Sequence, residues 1–159
     1  MVNKLKVFFS FDTRTMLLLV EALLFLGWGR FLVFLPFSKV APSLGTSMEE
    51  TSTSQIHNNI DVLKHVASAL ETMSKHTIWE SKCLVRAIAG MKMLERRDIE
   101  STLYLGIAKD DSAKMIAHAW LRSGSYYVTG KEGMEKFTVV GKFAKRMIQM
   151  DKREKSNGA

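Results

Sequence analysis

Residues 81–108 read SKCLVRAIAGMKMLERRDIESTLYLGIA, and the change of apolar period inside them decides the fold. From Cys83 onward Leu84, Val85, Ala87, Ile88, Ala89, Met91 and Leu94 make an apolar-rich helix that ends in the basic pair Arg96-Arg97. Asp98 follows at the helix end, a residue that tolerates the left-handed backbone better than most. Ser101–Ala108 then reads as a strand, Lys109–Ser112 as a turn, and Met115–Arg122 as a second strand, which together predict a hairpin. A helix that must bury one side, followed by a hairpin that offers it a face, predicts an α+β fold.

The same stretch holds the chain's one cysteine. Ser81 is the candidate N-cap, which places Cys83 at the second helical position. The first helical turn carries unpaired backbone N–H groups and the positive end of the dipole, and both favour a thiolate over a thiol. Without a base nearby, such a cysteine is equally a small buried apolar residue. The hairpin supplies a candidate base: strand alternation puts Ile116, His118 and Trp120 on one face and Ala117, Ala119 and Leu121 on the other. His118 is then either a core histidine or the general base for Cys83.

Working outward, 159 residues with 47% apolar and 25% charged side chains suit one globular domain. A single cysteine forbids an intrachain disulfide and a multi-cysteine zinc site, and fits a reducing compartment. His57 and His65 have no second ligand type beside them, so neither a metal nor a cofactor is expected. The net charge of +7 favours acidic partners without naming one. Six cations from Lys142 onward stand against Asp151 and Glu154, and this tail reads as a solvated helix or as a docking element for an acidic partner or membrane.

Met16–Leu35 (MLLLVEALLFLGWGRFLVFL) has the length of a membrane span. Its thirteen Leu, Phe and Val residues contribute about 4 to 8 kcal/mol toward insertion, and Glu21 and Arg30 oppose it by about 2.5 to 3.5 each. The two terms nearly cancel. A helix buried against the domain or lying at a membrane interface is expected, with Glu21 and Arg30 each needing its own polar neighbour. The Ser/Thr/Pro/Gly-rich run from Ala41 marks the main boundary, giving an apolar helical segment over 1–45, a core over 46–145 and a basic tail over 146–159. Ile60, Leu63, Val66, Ala67 and Leu70 predict an amphipathic helix over 55–74, with Asp61, Lys64 and His65 on its outer face.

SKCLVRAIAGMKMLERRDIESTLYLGIA, the later AHAWLRSG and the strand ending VTG resemble the C-terminal protease half of lasso-peptide B proteins, a branch of the transglutaminase-like cysteine proteases. The likeness covers roughly residues 76–143, and the apolar N-terminal run resembles the helical region that precedes that half in stand-alone members. It implies a papain/transglutaminase-like α+β fold, with the cysteine opening a core helix packed on a small antiparallel sheet. It also implies a cytoplasmic cysteine peptidase, in which Cys83 attacks, His118 exchanges the proton, and the leader is removed from a ribosomally made lasso precursor peptide before macrolactam closure. The implied partners are the precursor with its leader, a separate leader-binding protein and a macrolactam synthetase. Nucleic acid is not among them, and peripheral contact with the inner face of the membrane is left open.

Members of that family often carry an Asp after the histidine to orient the imidazole. Here the strand is Tyr126-Tyr127-Val128-Thr129-Gly130, so Thr129 takes the position by rough alignment, with Glu132 as a substitute if its loop folds back. A hydroxyl or a backbone carbonyl can also hold an imidazole. Acyl transfer to an amine, as in transglutaminases, is the alternative chemistry, and a non-catalytic scaffold docking to a membrane or synthetase is the alternative class.

Overall fold

The computed structural model describes residues 12–54, 59–77 and 82–147. Helix α1 spans Thr13–Val33, the short α2 Phe37–Val40, α3 Ile60–Ser74 and α4 Cys83–Glu95. Strands β1 (Thr46–Ser47), β2 (Ser101–Lys109), β3 (Met115–Ser123), β4 (Tyr126–Thr129) and β5 (Thr138–Lys145) form one antiparallel sheet in the order β1-β5-β2-β3-β4. The molecule is α+β, consistent with a transglutaminase-like fold, as the helix-then-hairpin pattern predicts.

The core lies between the helices and one face of the sheet. Leu103 and Leu121 pair across β2 and β3, and with Phe143 of β5 they join a cluster with Val85, Ile88 and Leu94 of α4 and Leu63, Val66 and Leu70 of α3. Gly90 marks where α4 touches the sheet, since a Cβ there would lie 2.8 Å from Leu121 Cδ2 and 3.1 Å from Leu70 Cδ1. Asp98 turns the chain from α4 into β2 with φ at 53°, as expected of the residue closing that helix.

α1 joins this core through Leu19, Ala22, Leu26 and Leu32, all buried. Glu21 and Arg30 find separate partners, as two charges nine residues apart must. Both Glu21 carboxylate oxygens accept from the Arg97 guanidinium at 2.7 Å, and Arg96 stands 3.3 Å away. Arg30 lies over the Phe34 ring at 4.8 Å.

Two expectations need correction, and a third lies partly outside the described residues. The helix expected over 55–74 is described from Ile60, and residues 55–58 lie outside the described residues. Cys83 is the first residue of α4 rather than the second; the flanking position is Lys82, which gives no side-chain cap, and Ser81 lies outside the described residues. The basic run from Lys142 does not begin a solvated helix. Lys142 and Lys145 belong to β5, the strand inserted between β1 and β2, and they reach Glu50 at 2.8 Å and Glu95 at 2.9 Å, while Arg146 just beyond pairs with Glu49. Phe143 and Ala144 are buried between these cations, whose charges are met by carboxylates distant in sequence.

The segment between β1 and α3 is tied to the sheet. Thr51 is buried, and its N–H donates to Thr102 Oγ1 at 2.9 Å, tying the loop to β2. Arg122, paired with Thr102 across the hairpin and on the same face of the sheet, fastens it too, donating to Thr51 O at 3.1 Å and to the Tyr104 hydroxyl at 2.9 Å.

Candidate active site

Cys83 is half-buried, packed against the helix–sheet core at the start of α4. The first bond of this helix runs from the Arg86 N–H to Lys82 O at 3.1 Å. The N–H groups of Cys83, Leu84 and Val85 therefore have no acceptor within their own helix, which makes this turn a place where negative charge is stabilised.

His118 stands on the sheet face opposite α4. Strand alternation sends Ala119 and Leu121 into the core and His118 with Trp120 the other way. There an aromatic layer covers the sheet: Tyr104 stacks on Trp120 with centroids 5.5 Å apart, and the His118 ring lies 5.8 Å from Trp120 and 5.0 Å from Phe137. Gly106, paired with His118 across the hairpin, is what admits this layer, because a Cβ there would come within 2.8 Å of both Phe137 Cβ and the Trp120 ring. Burial pushes the Tyr104 phenol above its ordinary pKa, so it remains a neutral hydroxyl accepting from Arg122.

His118 Nε2 lies 2.8 Å from Gly130 O. A carbonyl only accepts, so Nε2 carries the proton and Nδ1 of the neutral ring keeps its lone pair. Gly130 adopts φ of 72°, and a Cβ on it would come within 2.5 Å of Ala119 O, so only glycine brings its carbonyl this close to β3.

The orienting bond thus comes from the residue after Thr129. Thr129 is buried opposite Leu121 on the α4 side of the sheet, and its Oγ1 has no hydrogen-bond partner among the described residues. Glu132 is exposed in the loop. The backbone carbonyl was one of the groups the sequence allowed for this role, but a carbonyl belongs to every residue and carries no signature.

Cys83 and His118 come to the same end of the sheet on the two sides of β3. α4 leads directly into β2, so it runs antiparallel to β2 and parallel to β3. From the Gly90–Leu121 contact, seven helical residues back to Cys83 rise about 10 Å. Three strand residues back from Leu121 to His118 also span about 10 Å. At that level β3 is the margin of the sheet, because β4 ends with Thr129 opposite Leu121.

The family model of the Transglutaminase-like superfamily matches residues 31–142, more than two thirds of the chain. No curated protein and no solved structure matches it. The chain belongs to the Transglutaminase-like superfamily, and membership supports a function of the cysteine-peptidase or acyltransferase type. No group of three or more His, Cys, Asp or Glu able to hold a metal occurs among the described residues.

Proposed function

We propose that this protein is a cysteine peptidase that removes the leader from a ribosomally made lasso precursor peptide. The observation that carries this most is the His118–Gly130 bond, which fixes the imidazole with a basic Nδ1 at the end of the sheet where Cys83 opens α4. Nδ1 takes the thiol proton, the sulfur attacks the scissile carbonyl, and the N–H groups of the α4 first turn hold the oxyanion. The proton passes to the leaving amine and water then hydrolyses the thioester. This chemistry requires the Cys83 thiol, on the α4 side of the sheet, to reach the His118 imidazole past the margin of β3.

That margin also favours an extended polypeptide as substrate. Ala119 O faces Gly130, so by alternation the N–H and C=O groups of Met115 and Ala117 also point outward, where no strand pairs with them among the described residues. A strand edge of this kind is completed by a peptide backbone. Leader recognition belongs to a separate leader-binding protein, and a macrolactam synthetase consumes the freed core peptide in the cytoplasm.

Mass spectrometry of a lasso precursor incubated with the protein and a leader-binding partner tests this. Leader and free core are expected as separate masses. Acyl transfer shares the thioester and differs in its acceptor, so with an added primary amine it gives an amide mass in place of the free acid.

A further inference from the structure

α1 is apolar around most of its circumference, and among the described residues only one side of it is covered. Its inner face is buried against α3 and α4, yet Leu17, Val20, Leu24, Trp28, Phe31 and Phe34 form a stripe along the opposite side, with Leu24 67% and Phe34 73% exposed. A helix with two apolar faces is built to be covered on both. The stripe ends in an aromatic group, where the Trp28 and Phe31 rings lie 5.8 Å apart and Arg30 lies over Phe34.

The charges around the stripe indicate what covers it. Outside the Glu21–Arg97 pair, Arg14, Arg30, Lys39 and Arg96 stand on or beside α1 and α2, against the one carboxylate Asp12 at the start of α1. Glu21 is already neutralised by Arg97, and Asp12 accepts from Thr15 at the helix start. An apolar stripe with aromatic residues at one end and a basic rim matches an anionic lipid surface, in which rings enter the headgroup boundary and cations meet the phosphates. We propose that α1 docks this face onto an anionic membrane and lies in its plane.

Lying flat, rather than spanning, follows from the inner face. By length and composition α1 is the one helix among the described residues that qualifies for a span. To cross the bilayer it would strip Leu19, Ala22, Leu26 and Leu32 from the core and carry Glu21 away from Arg97. Lying flat keeps every one of these contacts. The docking does not depend on the chemistry at Cys83, so either can fail alone.

Co-sedimentation of the full-length protein with vesicles tests the proposal. Vesicles of equal parts phosphatidylglycerol and phosphatidylcholine should retain the protein, and vesicles of phosphatidylcholine alone should hold it at least about tenfold more weakly. Salt at about 1 M, where screening shortens to about 3 Å, should release it. Leu24→Glu combined with Phe31→Glu, both at outward positions, should weaken retention by more than about tenfold with the thermal melt unchanged. Trp28→Phe, at a half-exposed position, should keep the fold and retention and should remove the vesicle-induced blue shift of tryptophan emission, which keeps the test decisive even if the double variant misfolds. Equal retention on both vesicle types, resistance to alkaline extraction, a blue shift that persists without Trp28, or a lipid-free dimer dissolved by the double variant each overturns the proposal.

Discussion

Glu21→Gln isolates the contact by which α1 is fastened to the domain. The change preserves shape and removes the charge that accepts two 2.7 Å bonds from Arg97. Glu21 is 13% exposed, and breaking a fully buried pair from one side costs about 3–5 kcal/mol. Arg97 is 29% exposed and also donates to Met93 O at 2.8 Å, so water and that carbonyl recover part of the loss. Exposed pairs lie near 0–1 kcal/mol, which places the expected loss between the two limits, at about 1–2 kcal/mol. A domain of this size should then melt about 2–8 °C lower. Urea unfolding of Glu21→Gln, Arg97→Gln and the double variant gives the coupling directly, expected at about 1 kcal/mol. A loss below about 0.3 kcal/mol for Glu21→Gln, with strictly additive single changes, would show that α1 is not held by this contact and would remove the main reason for placing it in the plane of a membrane.

Gly106→Ala should lower stability by about 1–3 kcal/mol, because the added Cβ meets Phe137 and the Trp120 ring at 2.8 Å. It should also slow cleavage at saturating substrate by displacing the aromatic layer that holds His118; an unchanged rate in a destabilised protein would separate that layer from catalysis. Glu50 is a site of acid sensitivity, since the Lys142 hydrogen bond holds its carboxyl below the ordinary value of 4.5. A depressed folded-state pKa contributes stability above the unfolded value that disappears as pH falls through the folded one. Glu50→Gln should therefore flatten the fall of the urea midpoint below about pH 4.5, and an unaltered acid limb would assign the effect to other carboxylates.

How much of this was legible in the sequence depended on whether the signal was local. The hairpin was, because Ser101–Ala108 and Met115–Arg122 alternate on either side of a turn, and the observed strands are Ser101–Lys109 and Met115–Ser123. Asp98 was too, since its left-handed conformation is a property of one residue. β5 was not: Lys142, Lys145 and Arg146 read as solvent-facing charge until Glu50, Glu95 and Glu49 arrive from elsewhere in the chain.

Period two separated His118 from Leu121 but could not say which face α4 takes, because Ile116 and Trp120 are as apolar as Ala119 and Leu121. The orienting group for His118 is a backbone carbonyl, which no sequence pattern marks. Around α1 the sequence posed the question of Glu21 and Arg30, and the answers lie at Arg97 and Phe34, one distant in the chain and one a helical turn away.

The most direct test of the central claim is the fate of a lasso precursor peptide in the presence of the protein, its leader-binding partner and the variant Cys83→Ala, followed by intact-mass spectrometry. Separate leader and core masses are predicted with the native protein, with none from Cys83→Ala at equal concentration and equal thermal stability. His118→Ala should match that loss, and the double variant should be no slower than either single one, because nucleophile and base act as a unit. Cleavage that persists in folded Cys83→Ala, at the same position and rate, would contradict the assignment of the thiol as nucleophile.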